Sequence, residues 1–333
     1  TVQPANQLVA AGGTLSLSVS ASNASGYQWW KDGARLVGQT AATLTIGSAA
    51  MKDSGVYTVV ITNADAVTIS IPADVSVGNP SLLAWGYNAH GQLGDGTQVE
   101  AARPIRASFD AVTAAAGNGH SLFVKADGTL WAMGDNTCGQ LGIGTATATN
   151  RPAFVVSNVA VAAAGFAHSL FVKRDGTLWA MGKNEYGQLG VGTTALTNAQ
   201  PVCVASNVVA VAAGYDHSLF VKTDGSLWGM GCGDHDQLGL GTATATNALP
   251  VRLATDVATA AAGYFHSLYM KTDGTLWGMG YSNYGQLGCG GSVIERRPVQ
   301  IASNVVTAAA GDNHSLFVTT DGALWTMGMN DCG

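Results

Sequence analysis

Five histidine-serine-leucine triplets, opened by His120, His168, His217, His266 and His314, stand 48, 49, 49 and 48 residues apart. A motif that returns at a fixed period means one supersecondary unit per repeat, each stacked on its neighbours because none can bury its apolar face alone. The unit is seen most fully at Ala162–Gly182, AAAGFAHSLFVKRDGTLWAMG. Whatever this chain folds into must be built from near-identical modules.

Each module reads as four strands. Strand a is a run of small residues, as in Val208–Ala213; strand b is S-L-F-V-K; strand c is T-L-W-A-M; strand d is expected to be short and to follow a proline. Lys-x-Asp-Gly-Thr separates b from c, as in Lys173–Thr177. Asp-Gly between two apolar runs predicts a tight hairpin with positive φ at both central positions. In strand b, Leu170 and Val172 face one way and Ser169 and Phe171 the other; in strand c, Leu178 and Ala180 oppose Trp179 and Met181. Bulky groups on both faces call for sheets covered on both sides, and Ala, Val and Gly suit an innermost strand where sheets converge. An all-β chain with a β-propeller of four-stranded blades meets these conditions.

The strings A-A-G-x-x-H-S-L, D-G-T-L-W-x-M-G and N-x-x-G-Q-L-G-x-G-T include Gly165, His168, Asp175, Gly176, Trp179, Gly182, Asn184, Gly187, Gln188, Leu189, Gly190, Gly192 and Thr193. They resemble the repeats of the regulator of chromosome condensation family over residues 82–333, which implies a seven-bladed propeller. The repeats run from strand c at Leu82–Trp85 to strand c at Leu324–Met327, about five to six blades. The motif breaks off at Asn330-Asp331-Cys332-Gly333, so the propeller reads as truncated at this end.

Residues 1–77 carry no copy of the repeat. Leu15, Leu17 and Val19, then Leu44 and Ile46, then Tyr57, Val59 and Ile61 alternate with polar neighbours, the pattern of half-buried antiparallel strands. YQWWKDG at 27–33 and DSGVYTV at 53–59 resemble the core-tryptophan strand and tyrosine corner of a bacterial immunoglobulin-like β-sandwich. The resemblance makes Trp29 the core tryptophan and Tyr57 the corner, with Trp30 pointing outward. It also puts the sheet-bridging cysteines at Val19 and Val59, so this sandwich lacks the disulfide and the ~2–4 kcal/mol such a bridge supplies. Residues 78–81, Gly-Asn-Pro-Ser, read as a linker.

Composition narrows the functional classes. With 47% hydrophobic and 11% charged residues the chain can bury a core, and with net charge −6 and 15 scattered Lys and Arg it lacks the clustered basic surface that nucleic acid requires. No apolar run approaches the length of a membrane span, which speaks against membrane insertion. The five cysteines are dispersed and form no C-x-x-C pair, which argues against a disulfide framework and a zinc site.

The recurring His120, His168, His217, His266 and His314 sit at equivalent blade positions that a ring holds apart, so they read as structural hydrogen-bonders to the neighbouring backbone. Trp85, Trp131, Trp179, Trp228, Trp277 and Trp325 recur beside leucines on strand c and read as inter-blade core. Asp234, His235 and Asp236 are adjacent, and three consecutive side chains rarely converge on one ion. No nucleophile elbow, phosphate loop or metal motif is present, so no enzyme, metal or cofactor is expected.

Compared with one another, the repeats vary in two places: the pair between Gly and His, and the stretch after strand c. In an up-down-up-down blade both emerge on one face. The candidate binding residues there are Tyr87, His90, Phe166, Tyr186, Tyr215, Asp216, His235, Tyr264, Phe265, Tyr281, Tyr284, Asp312 and Asn313, a mixture of aromatic anchors and polar contacts suited to recognition. The reading is a non-catalytic binding or adhesion module, a monomeric segment of a larger, bacterial, secreted or cell-surface protein that recognises a protein or glycan. The family resemblance offers two alternatives: guanine-nucleotide exchange on a small GTPase, the namesake's activity, and a secreted enzyme inhibitor.

Overall fold

A computed structural model describes residues 2–64, 66–78, 82–108, 110–195, 197–241, 246–290 and 294–331. Residues 79–81 of the expected linker, together with Cys332 and Gly333, lie outside the described residues. The chain divides into two units, Thr1–Leu82 with Phe109–Ala111, and Leu83–Ser108 with Val112–Gly333.

The first unit holds two sheets. One has the order β1 (Gln7–Val9), β8 (Ala73–Val77), β6 (Gly55–Thr62), β3 (Gly26–Lys31), β4 (Ala34–Arg35), with β7 (Val67–Ile69) also on β6; the other pairs β2 (Leu15–Ser18) with β5 (Thr43–Ile46). Leu15 and Leu17 face Ile46 and Leu44 across that pair. Alternation puts Trp29, Tyr57, Val59 and Val19 in one core with Leu15, Leu17 and Leu44. Trp29 and Tyr57 are wholly buried, so each needs a polar partner: Trp29 Nε1 donates to the Ala41 carbonyl at 2.9 Å and the Tyr57 hydroxyl donates to the Asp53 carbonyl at 2.7 Å. Tyr57→Phe is expected to cost this unit about 1–2 kcal/mol in a denaturant melt, because it leaves a carbonyl without its hydroxyl partner while barely changing volume. Trp30, on the opposite side of β3, is half-buried. In the Lys31–Ala34 turn both Asp32 (φ 50°) and Gly33 (φ 78°) are left-handed.

The second unit is made of antiparallel sheets, four of them complete and in the order a-b-c-d, spanning 111–156, 159–205, 208–254 and 257–302. A two-stranded sheet, Leu82–Gly86 with Ala101–Ser108, precedes them as strands c and d, and a three-stranded sheet, 305–328, follows as a, b and c. We call these blades 1 to 6 in chain order. The two faces of a strand serve two interfaces. Phe171 and Met181 pack with Leu122, Val124 and Leu130 of blade 2, whereas Leu170, Val172, Leu178 and Ala180 pack with Phe220 and Met230 of blade 4. Each fully buried aliphatic or phenylalanine side chain contributes about 1.5–3 kcal/mol, so adjacent blades stabilise one another in the way repeat stacking requires.

Three expectations are corrected. Strand d is not short: Thr197–Ala205 and Thr246–Ala254 are nine residues each, with Pro201 and Pro250 inside them. Proline is tolerated there because d is the sheet edge and the ladder to strand c is bulged at that point. The b–c hairpin is not the expected mirror-image turn, since only the glycine, Gly176 at φ 80°, is left-handed. Gly176 N donates to Lys173 O and Lys173 N to Thr177 O, a three-residue loop whose left-handed glycine makes the bulge. Asp175 is not left-handed, and its carboxylate accepts from both the Thr177 amide (2.9 Å) and hydroxyl (2.6 Å). Thr177 in turn accepts from Trp179 Nε1 at 2.9 Å, and Lys173 Nζ sits 4.4 Å from the Trp179 ring centroid.

The tryptophans are the third correction. Trp131, Trp179, Trp228 and Trp277 are half-buried at the margin of the blade interfaces rather than in their centre, while Trp85 and Trp325 are exposed, at 61% and 54%. A lysine ammonium lies over the ring of each of the four half-buried tryptophans, Lys125, Lys173, Lys222 and Lys271 in successive blades.

Candidate functional site

Backbone hydrogen bonds fix which loops share a face. The residue ending strand c bonds to the a–b loop of its own blade, as Lys183 N to Ala167 O, Cys232 N to Asp216 O and Tyr281 N to Phe265 O. At the other end, Val159 N and Val208 N, each opening a strand a, bond to the hairpin glycines Gly128 and Gly176 of the preceding blade. The two variable segments therefore lie together, opposite the hairpins.

The conserved-looking letters within the c–d loop form a scaffold for its tip. Asn88, Asn136 and Asn184 are buried, and their carbonyl oxygens accept from the amides of Leu93, Leu141 and Leu189. Gln188 Oε1 accepts from Tyr186 N, as Gln140 Oε1 does from Cys138 N. In blades 2 and 3 the variable residues between Asn and Gln are thus held by hydrogen bonds from within the loop, whereas in blades 4 and 5 Gln237 Nε2 and Gln286 Nε2 are buried without a partner among the described residues.

Near the axis the ends of the a strands surround a depression of about 450 Å³ lined by Ala164, Gly165, Ala213, Gly214, Ala262 and Gly263 with their counterparts in blades 2 and 6. Small residues were expected in strand a for this reason. Phe166, Tyr215 and Tyr264 stand in it. Phe166 and Tyr215 have ring centroids 4.2 Å apart, and Tyr215 and Tyr264 stack at 3.9 Å. The series continues outward: Tyr264 meets Phe265 edge-on at 4.3 Å, Phe265 stacks on His235 at 4.1 Å, His235 meets Tyr281 at 5.6 Å, and Tyr281 meets Tyr284 at 6.0 Å. Seven rings from blades 3, 4 and 5 make one continuous string. Burial first, and then the hydrogen bond with Tyr215, push the Tyr264 hydroxyl well above the usual phenol range.

The other expected binding residues are arranged differently. Tyr87 and His90 form a separate edge-on pair at 6.2 Å. Asp312 is exposed at the rim of the depression, where its carbonyl accepts from Tyr264 N; Asn313 is half-buried, with its carbonyl bonded to Met329 N. Asp216 is corrected: it is 5% exposed and points inward. Lys183 Nζ lies 3.2 Å from Asp216 Oδ1, Gln188 Nε2 donates to the same oxygen at 2.8 Å, and Glu185 completes the cluster 3.4 Å from Nζ. Burial pushes the Asp216 carboxyl up, an effect that Lys183 only partly offsets. For Lys183 burial pushes down, but the attraction of Asp216 and Glu185 outweighs it and holds the ammonium up. Lys183 also lies 5.3 Å from the Tyr186 ring and 5.9 Å from that of Tyr215. Sequence reasoning did not single out this lysine, although its position, Asp135, Lys183, Cys232 and Tyr281 in successive blades, is among the most varied in the repeat.

The histidines are structural in a way the sequence did not specify. His120 Nε2 is 2.9 Å from Ser169 Oγ of the next blade, and the same bond joins His168 to Ser218, His217 to Ser267 and His266 to Ser315. Ser169 Oγ donates onward to the Gln140 carbonyl at 2.7 Å. The hydroxyl proton is thereby used, so each histidine carries its proton on Nε2 and presents a bare Nδ1. The partner is a serine across the interface rather than backbone. His314 is the exception, being exposed. Groups of three or more side chains able to hold a metal ion are absent among the described residues, and no helix there is long and apolar enough to cross a membrane.

Residues 81–333 match the sequence profile described as the RCC1-like domain. No match is found among curated protein sequences. Among solved structures the chain is similar to human WBSCR16, with a TM-score of 0.67 at 21% identity over 86% of this chain and 80% of that one. It is also similar to yeast RCC1 (Prp20) in its complex with Kap60, with a TM-score of 0.65 at 25% identity over 75% and 65% of the two chains. A second structure, Prp20p from Saccharomyces cerevisiae, described with its binding properties to Gsp1p and histones, gives 0.64 at 18% identity over 94% of both chains.

Proposed function

Since the chain belongs, through residues 81–333, to the RCC1-like domain family, we propose that it is a non-catalytic protein-recognition module whose binding surface is the loop face of blades 3 to 5. The observation that carries this reading is the unbroken string of rings from Phe166 to Tyr284. Rigid aromatic side chains lose little entropy on contact and supply most of the energy at recognition surfaces. The scaffolded loops beneath them give the preorganisation that favours binding. A protein partner is favoured over a glycan by the yeast relative, whose solved forms concern Kap60, Gsp1p and histones. The first unit is read as an immunoglobulin-like sandwich acting as a spacer, supported by the buried Trp29 and the Tyr57–Asp53 bond, and the setting as extracellular or cell-surface.

The test is capture of a protein partner by the full chain and by a Tyr186→Ala, Tyr215→Ala, Tyr264→Ala, Tyr284→Ala variant. Loss of about 30-fold in affinity per central ring is expected, with circular dichroism unchanged; undiminished capture by the folded variant contradicts the reading. Nucleotide exchange on a small GTPase is a second reading, favoured by family membership. It predicts accelerated release of labelled GDP from a GTPase panel, and an unaltered release rate removes it.

A further inference from the structure

The cluster around Lys183 shows, within the chain, what this surface does with a cation. In blade 3 one ammonium lies against two tyrosine rings and between two carboxylates, Asp216 at 3.2 Å and Glu185 at 3.4 Å. The rings recur in blades 4 and 5, and exposed acids flank them, Asp234 in blade 4 and Asp312 in blade 6. Asp234 is exposed beside His235 at the loop tip, and Asp312 is exposed beside Tyr264. The cation does not recur, because the positions equivalent to Lys183 are Cys232 and Tyr281. Among the described residues no Lys or Arg lies over Tyr264, Phe265 or Tyr281, and Arg296, 3.9 Å from Asp236, is largely exposed on strand d. The chain itself is acidic, at −6.

Resting on the recognition reading above, we propose that the partner supplies the missing cations: a basic segment whose Arg or Lys side chains lie over Tyr264, Phe265 and Tyr281 between Asp234 and Asp312. Electron-rich ring faces attract such cations, more strongly once they are desolvated. A guanidinium suits the place best, since its flat face stacks on a ring while its edge hydrogen-bonds a carboxylate.

The probe is an acetylated, amidated peptide of alternating Arg and Gly, titrated against the full chain by calorimetry. Controls are the same peptide with Glu or Gln at every Arg. The Arg peptide is expected to bind at least about tenfold more tightly than either control and to weaken as salt is raised. Asp234→Asn with Asp312→Asn, two exposed and isosteric changes that leave the rings in place, is expected to remove about tenfold of that affinity. Equal binding of the Glu or Gln peptide, unaltered affinity in the double variant, or no binding of the Arg peptide overturns the proposal. Partner capture lost on removing the tyrosines but indifferent to Asp234→Asn and Asp312→Asn sinks the basic-segment proposal alone and leaves the recognition face standing.

Discussion

Lowering the pH from about 7.5 to about 5 is expected to destabilise the propeller by several kcal/mol, well before its hairpin aspartates protonate. Burial pushes His120 and His266 down to about 4 and His168 and His217 down to about 3, from an ordinary value of 6.5. The unfolded chain therefore takes up protons between those values that the folded chain refuses. Stability is complete above the unfolded value of 6.5 and is lost as the pH falls toward the folded one. At pH 5 the deficit is about 2 kcal/mol for each histidine, and there are four such sites. A charged ring would also face the next blade with a bare, buried Nδ1 turned into a donor that has no acceptor there. The hairpin aspartates Asp127, Asp175, Asp224 and Asp273 are held below the usual carboxylate range by the hydroxyl and amide of the following Thr or Ser. Their contribution disappears only at lower pH, so the window from 6.5 to 5 belongs to the histidines. Urea melts across that range should show unfolding free energy falling with a slope approaching four protons, and His168→Gln should remove about one of them. A flat profile would mean that the histidines are hydrated or already charged.

The second large effect concerns the glycine three residues before each histidine. A Cβ on Gly165 would overlap the His168 ring and lie 2.5 Å from the Gly214 carbonyl oxygen of the next blade, and Gly117, Gly214 and Gly263 repeat that geometry. None of these has a left-handed φ, so the requirement is for space, created by the inner strands closing on an axis. Because the obstacle is backbone from a second blade, it cannot rotate aside, and Gly165→Ala is expected to cost about 3 kcal/mol, the upper end for overpacking. Gly285 is left-handed at 78° but has nothing within 4 Å of its absent Cβ, so Gly285→Ala should cost only about 1 kcal/mol. Equal melting shifts for the two variants would contradict this account of the inner strands.

These two effects also mark what a sequence can and cannot disclose here. The spacing of the H-S-L triplets specified the modules, and the alternation in S-L-F-V-K specified two packed faces, because both signals are local and repeat. The His–Ser bond was hidden although the two letters are adjacent, since each histidine bonds the serine of the following repeat, 49 or 50 residues away. The length of strand d is hidden because proline normally punctuates a strand, and only the sheet order shows that it lies on an edge. The burial of Asp216 is not legible because a two-letter variable pair does not say which letter turns inward; Phe166 and Tyr215 line the depression while Ala167 and Asp216 are buried. The aromatic residues were legible as a palette. That they join into one string, and that Lys183 is already captured by it, depends on contacts between blades.

The central claim is that the loop face of blades 3 to 5 is where a protein partner sits. Hydrogen exchange of the full chain with and without its captured partner tests this most directly, because both faces are read in one experiment. Slowed exchange is predicted in the a–b and c–d loops, around Phe166, Tyr186, Tyr215, His235, Tyr264 and Tyr284. Exchange in the hairpins at 173–177, 222–226 and 271–275 should be unaltered. Protection of the hairpins with exposed loops would place the partner on the opposite face and contradict the account.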